Sequence, residues 1–308
     1  MKKIIAILLM FVLCFGFTAC TELELIAELS DIVYEEYGDK IKPSESEFSK
    51  EDLKNYPLRV YFLDVGQGDS SFIELPDGKT MLIDAGDPDA SDAISGFIDS
   101  LDKNKIDIVV ATHPHLDHIG SMAKVLKKYE IGKMYMPKKE AESRGFENML
   151  DVISKKEIPL YQAKKGTVIE ENSDYKIHIL SPEDKNYDNL NNVSAVVKIT
   201  YGETEYLFMG DAERKVETPL KKLNIEADVL KLGHHGSSTS SGYEFLSMVS
   251  PKYAVISCGK DNSYGHPHEE VVDRLNRLNI KYYRTDLSGT VAICADNSEN
   301  FVVLKEKK

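Results

Sequence analysis

From residue 58 onward the chain alternates short apolar runs with polar punctuation. "LRVYFLDV" (58–65), "SSFIEL" (70–75) and "TMLIDAG" (80–86) are rich in β-branched and aromatic residues over strand-length windows. The turn "PDGK" (76–79) separates the last two as a hairpin would. Helical spacing follows in "DAISGFIDSLDKN" (92–104), then a buried-strand run "IDIVVAT" (106–112), a helix "SMAKVLKKY" (121–129), a strand "KMYMP" (133–137) and a helix "FENMLDVISKKE" (146–157). Strands are predicted again at "YKIHILSP" (175–182), "SAVVKITYG" (194–202) and "TEYLFMGD" (204–211). After them, helices at 216–223, 241–250 and 267–279 alternate with strands at 227–233, 253–259 and 281–285. "GTVAICAD" and "NFVVLKE" close the chain as a hairpin. Strands mixed with helices in both halves predict two sheets packed face to face with helices outside.

The first 56 residues follow a different pattern. Lys2 and Lys3 precede the apolar run "IIAILLMFVLCFGF", too short to span a bilayer comfortably, and "FTAC" follows. Small residues ending at Cys20 resemble the lipobox of bacterial lipoproteins. By that resemblance residues 1–19 are a removed signal peptide and Cys20 carries the lipid. An ordinary signal peptide or an uncleaved anchor is the alternative. Residues 20–56, with "KPSESEFSKED" and a short helix over "ELELIAELSDIVYEEY", read as a linker. The body spans residues 57–308. The expected location is the extracytoplasmic face of a bacterial membrane, held there by the lipid anchor alone.

Charge narrows the choice of partner. The 308 residues carry 38 Lys and Arg against 51 Asp and Glu, a formal charge of −13. Binding to DNA by charge alone is not expected, because phosphate contacts need clustered Lys and Arg. "KVLKK" (124–128) and "MPKK" (136–139) are the candidates for a local basic groove, though such runs are more often solvated faces. Beyond the signal region only Cys258 and Cys294 remain; both lie in apolar runs and are read as buried thiols.

Several apolar strands end in chemically capable residues. "YFLDVGQGDS" ends in Asp64, Gln67 and Asp69, "TMLIDAG" in Asp84, and "EYLFMGDAE" in Asp211. "DVLKLGHHGSSTS" ends in His234 and His235, and "YAVISCGKDNSYGHPH" leads to His266 and His268. The densest cluster is "ATHPHLDHIG" (111–120), which places His113, His115, Asp117 and His118 within six positions. Strand ends sharing one sheet edge bring donors together, as a metal site requires. Imidazole and carboxylate suit Zn²⁺, Mn²⁺ or Fe. Asp64, Asp69 and Asp84 are expected to support the ligand loops. "DVGQGD" lacks a helix-start phosphate fingerprint. His178 is read as structural and His268 as a helix cap.

"THPHLDH" matches the HxHxDH signature of the metallo-β-lactamase superfamily. "FMGDAE" looks like its later Asp motif and "LKLGHHGSSTS" like its distal His motif. Together with "SYGHPH" and "NNVSAVVKITYGETEYLFMGDAE", these stretches resemble the hydrolase domain of ComEC-type competence (DNA-uptake) proteins over residues 58–305. The resemblance implies an α/β fold, the four-layer αββα metallo-β-lactamase sandwich, with two divalent cations, Zn²⁺ or Mn²⁺, at one edge. It implies His113 and His115 on one cation and Asp117, His118 and one of His234 and His235 on the other, with Asp211 bridging. The family's further histidine of the first site is missing; "NLNNVSA" occupies that stretch, so Asn191 or Asn192 is expected to ligate or to contact substrate.

Two cations sharing a water lower its pKa toward neutrality and neutralise charge building on a phosphoryl or carbonyl oxygen. Asp117 is expected to orient the resulting hydroxide and His266, or the free member of the 234–235 pair, to protonate the leaving oxygen. Ser237 is expected to offer its hydroxyl to substrate. The expected activity is surface-anchored phosphodiesterase or nuclease chemistry, with a phosphodiester partner, DNA among the candidates, and no protein partner. The alternatives are hydrolysis of small phosphodiesters such as phosphorylcholine-type wall or lipid headgroups, and a non-catalytic surface binding lipoprotein.

Overall fold

The computed structural model describes residues 52–306. The signal peptide, Cys20 and nearly all of the predicted linker lie outside the described residues. The linker's last stretch belongs to the body: Asp52–Asn55 form a 3₁₀ turn, Leu53 is buried, and the Arg59 guanidinium donates to Leu53 O and Tyr56 O.

One sheet has the order β15-β14-β1-β2-β3-β4-β5-β6. Its strands are β1 (Leu58–Phe62), β2 (Ser71–Glu74), β3 (Thr80–Ile83), β4 (Lys105–Val110), β5 (Glu130–Met136), β6 (Leu160–Gln162), β14 (Val291–Ala295) and β15 (Phe301–Lys305). The second has the order β13-β12-β11-β10-β9-β8-β7. It holds β7 (Val168–Glu171), β8 (Tyr175–Ser181), β9 (Val196–Tyr201), β10 (Thr204–Phe208), β11 (Val229–Lys231), β12 (Tyr253–Ile256) and β13 (Lys281–Arg284). Both predicted hairpins form, with Glu74 opposite Thr80 and Ala295 opposite Phe301. From β3 to β6 and from β10 to β13 every neighbour is parallel, because each crossover runs through a helix or a long loop.

Alternation along the strands sorts side chains into layers. Val60, Phe62, Ile83 and Val110 face Ile179, Val197, Phe208 and Val255 between the sheets, and the Phe62 and Phe208 rings stack at 5.9 Å. The opposite face of the first sheet, with Tyr61, Phe72 and Val109, packs against α1 (Ser91–Ser100), α3 (Met122–Lys128) and α4 (Arg144–Lys155). α2 is the single turn Leu116–Ile119. In α4 the apolar positions Phe146, Met149, Val152 and Ile153 recur at helical spacing, and the Ser143 hydroxyl caps the Phe146 N–H. The outer face of the second sheet, with Leu207, Leu230 and Ala254, packs on α5 (Arg214–Leu220), α6 (Tyr243–Val249) and α7 (Glu269–Arg277). α8 is the turn Thr285–Ser288. This is the expected four-layer αββα sandwich.

Two strands escaped the sequence pattern. β6 is exposed throughout and β7 buries only Ile169, so neither alternates clearly. Cys258 and Cys294 are free and buried, as expected. Among the described residues no helix is long and apolar enough to cross a membrane.

Candidate metal centre

β4 lies deep in the first sheet, and its apolar run ends where the chain turns out of the sandwich. The chain bends at His113 and Pro114, His115 is extended (φ −72°, ψ 148°), and α2 follows it; the His115 carbonyl accepts from the His118 and Ile119 amides. "DVGQGD" supports this loop from below. The Asp69 amide donates to Asp117 O at 3.0 Å, and a Cβ on Gly68 would lie 2.4 Å from the same oxygen. Glycine is required at position 68 by that close approach.

The histidines are clamped by one ring nitrogen and aimed by the other. His118 Nδ1 lies 2.7 Å from Asp84 Oδ2, and Asp84 also accepts from the Thr112 amide and hydroxyl at 2.7 and 2.6 Å. His113 Nδ1 meets the Thr112 hydroxyl at 3.1 Å. His235 Nδ1 meets Ser257 O at 3.0 Å, and His234 Nδ1 the Thr239 hydroxyl at 3.0 Å. Such backing bonds fix ring orientation and tautomer for the opposite nitrogen.

The opposite nitrogens converge on Asp211, 1% exposed at the end of β10. Its Oδ1 lies 3.1 Å from His118 Nε2 and 3.5 Å from His235 Nε2. Its Oδ2 lies 3.6 Å from His113 Nε2 and 3.8 Å from His234 Nε2. His113 Nε2 is 3.0 Å from His115 Nδ1, and Asp117 Oδ2 is 3.3 Å from His235 Nε2. His235 therefore stands with His118, while His234 faces the first site. Both histidines sit in the left-handed region, at φ 51° and 53°, a strain on the order of 1–3 kcal/mol each that clusters at functional sites.

The residues fit divalent cations. His113, His115 and Asp211 place donor atoms within 4.8 Å of one another, as do Asp69, His118, Asp211 and His235. Asp211 Oδ1 is buried and makes no hydrogen bond, although His118 Nε2 is close by. A buried carboxylate oxygen without a donor wants a cation. Asp69 belongs behind the second set: its Oδ2 is held by the buried Lys231 ammonium at 2.8 Å, and its Oδ1 faces His235 Nδ1 at 3.4 Å.

Charge states follow from these contacts. Burial alone would discharge His118, but Asp211, Asp84 and Asp117 hold its pKa well above that of a free imidazole. His235 is raised to about 10: burial opposes its charge, and Asp211 and Asp69 overcome it. Asp117 is lowered to about 2, because His118 and His235 outweigh the effect of burial. Burial lowers His113 well below its ordinary value and also lowers His234.

A cleft of about 440 Å³ opens over the centre, lined by Asp117, Asp211, His115, His234, His235 and His266, with Gln67, Asp87, Asn191, Leu116 and Tyr264 at its walls. A larger cleft of about 640 Å³ lies beside β6 and carries no comparable donor set. Asn191 Oδ1 is buried without a partner, and its Nδ2 lies 3.4 Å from His234 Nε2.

Four expected roles change. Asn192 does not face the cleft: its amide donates to Glu213 Oε2 and its oxygen accepts from the Glu213 N–H, tying the turn before β9 to the Asp211 loop. Ser237 is buried, accepts from Thr239, and is not among the cleft residues. His266 lines the cleft, but burial and then His235 and His234 lower its pKa to about 4; it is neutral at pH 7 and not a store of protons for the leaving oxygen. His268 opens α7 without a side-chain cap; its Nδ1 accepts instead from the Ser238 amide.

Comparison with known proteins agrees with this geometry. The metallo-beta-lactamase superfamily pattern matches residues 63–260. ComE operon protein 3 of Bacillus subtilis is 33% identical over 251 residues, 75% of this chain and 32% of that protein. Competence protein ComA of Neisseria gonorrhoeae is 46% identical over 112 residues, 35% of this chain and 16% of that one. The chain spans about a third or less of these relatives. Among solved structures, Igni18, a metallo hydrolase from Ignicoccus hospitalis, superposes with a TM-score of 0.52 at 18% identity, covering 76% of this chain and 98% of its own. That likeness shows the fold.

Proposed function

The chain belongs to the metallo-β-lactamase superfamily, and from that premise we propose that it is a metal-dependent phosphodiesterase. The observation that carries the reading is the division of Asp211, each of whose oxygens faces a separate pair of histidines. Likeness to proteins of competence supports a nucleic-acid phosphodiester as the substrate. Lipid attachment at Cys20 and an extracytoplasmic location belong to the same proposal.

His113, His115 and Asp211 Oδ2 would hold one cation, and His118, His235, Asp117 and Asp211 Oδ1 the other. Divalent cations bound there supply Lewis acidity toward a phosphoryl oxygen and a water acidic enough to ionise near neutrality. The chain does the rest. Asp84, Thr112 and Ser257 keep the rings aimed. Asp117, ionised across the working pH range, accepts a hydrogen bond from the attacking water at its carboxylate. His266 and His234, both neutral at pH 7, offer hydrogen bonds to the phosphoryl group or the leaving oxygen within the cleft.

The test is metal content of the chain from residue 21 on, with hydrolysis of bis-p-nitrophenyl phosphate in Zn²⁺ and Mn²⁺. About two metals per chain and turnover are expected. A folded protein without metal or turnover would return the chain to the binding-lipoprotein reading. Cleavage of nitrocefin in place of phosphodiesters would make it a lactamase. Mass spectrometry of the mature N-terminus checks the lipid on Cys20.

A further inference from the structure

The metal centre accounts for a phosphodiester but not for what flanks it. Two side chains in the same cleft are apolar and open to solvent: Tyr264 is 64% exposed and Leu116 40%. Scattered apolar side chains on a surface need no explanation, but these two adjoin a charged centre and are both held in place. The Tyr264 ring lies on His266 with centroids 5.6 Å and planes 18° apart. His266 lies in turn on His235 at 6.1 Å and 23°. A column of rings thus runs from solvent to the centre.

The loop that carries Tyr264 is closed by hydrogen bonds. Asn262 Oδ1 accepts from the His266 amide at 2.9 Å, and Asn262 Nδ2 donates to Gly259 O and His266 O at 2.9 and 2.6 Å. The Gly259 amide donates to Gln67 Oε1 at 3.0 Å, which ties this loop to the one supporting the ligands. Gly265, at φ +71°, makes the turn. Beneath Leu116, a Cβ on Gly145 would lie 2.5 Å from Leu116 Cδ2, so α4 backs that side chain closely. With one face on His266 and most of its surface exposed, Tyr264 presents an open ring already fixed in position.

We propose that Tyr264, with Leu116, forms a stacking subsite for a nucleobase beside the scissile phosphodiester. The proposal rests on the phosphodiesterase reading of the centre. Every base has a flat face, so such a platform serves single strands of any sequence. A quaternary ammonium headgroup is recognised by a cage of several aromatic rings, and Tyr264 is the one tyrosine, with no Phe or Trp, among the cleft residues. The formal charge of −13 favours short strands or strand ends over long duplexes.

The experiment is equilibrium binding to the Mn²⁺-loaded chain of a hydrolysis-resistant phosphorothioate trithymidylate, and of the same trimer with its bases removed. Tyr264→Ala should weaken the base-bearing trimer about tenfold, a typical loss for one stacked base. Tyr264→Phe should stay within about twofold of the parent, since the ring is kept. The abasic trimer should bind weakly and equally to all three, and their metal contents should match. Equal losses on both trimers, no loss in Tyr264→Ala, or no binding of the base-bearing trimer would overturn the subsite. So would Tyr264-dependent binding of p-nitrophenylphosphorylcholine stronger than that of the trimer, which would assign the ring to a headgroup. Base-dependent binding without cleavage of the ordinary trimer would leave the subsite standing and refute the phosphodiesterase reading alone.

Discussion

At the ends of β3 and β10 the two sheets carry similar phrases, a buried aspartate beside alanine and close to glycine. Each of these strands pairs antiparallel with its predecessor and parallel with its successor. Each successor, β4 or β11, then runs into a histidine loop. Asp84 and Asp211 are equally buried, at 1%. Their surroundings differ. Asp84 is enclosed by donors, with the Thr112 amide and hydroxyl and the back nitrogen of His118. Asp211 faces the front nitrogens of four rings and leaves Oδ1 without a hydrogen bond. Burial pushes the Asp211 carboxyl up, yet His118, His235 and His113 hold it well below the ordinary range. The comparison teaches that a strand-end aspartate is placed as a candidate ligand when histidine loops from both sheets, after β4 and β11, meet at its front, and as a support when its own sheet fills its oxygens.

The largest expected effect is at the ligand. Asp211→Ala should cut phosphodiesterase activity by about 10³-fold or more and reduce bound metal well below two per chain, read by elemental analysis and turnover. Asp84→Asn should retain the fold and lose about 10- to 100-fold in metal affinity or activity, the usual result of loosening a ring from behind. If Asp84→Asn empties the site as completely as Asp211→Ala, the distinction between ligand and support breaks down.

A backbone test comes next. Gly68→Ala places a methyl against Asp117 O and should destabilise the chain by about 1–3 kcal/mol in thermal or denaturant unfolding, with activity falling because the ligand loop must move.

The smallest effect is the sign of a pH dependence. His235 has its pKa raised to about 10 in the metal-free chain, against about 6.5 unfolded. Its contribution is complete below pH about 6.5 and is lost as pH rises toward 10, so metal-free stability should decline across that window. Metal must displace the protons on His118 and His235, so metal affinity should rise over the same range. Melting curves with and without chelator would separate the two; parallel pH trends would contradict the charge assignment.

Much was legible beforehand. Strands at the ends of strong apolar runs, both hairpins and the helices of both outer layers follow from periodicity. The cluster at 113–118, Asp211 and the 234–235 pair stood out by residue type. β6 and β7 were missed because exposed or nearly exposed strands have no apolar alternation to read. Asn192 and Ser237 were expected in the cleft because sequence gives proximity along the chain, whereas their hydrogen bonds turn them away from it.

The layers are written in the alternation of apolar residues, which decides which faces can be buried, and the chain's residue types set the supply of donors. Their roles came from folding. His234 and His235 are neighbours of the same chemistry, and two successive left-handed residues send one toward His118 and the other toward Asp211 Oδ2. Tyr264 gains meaning only because its loop closes over a ring that touches the centre. Burial pattern is local along the chain, whereas the direction of a loop side chain depends on backbone angles and on contacts from a sheet more than a hundred residues away in sequence.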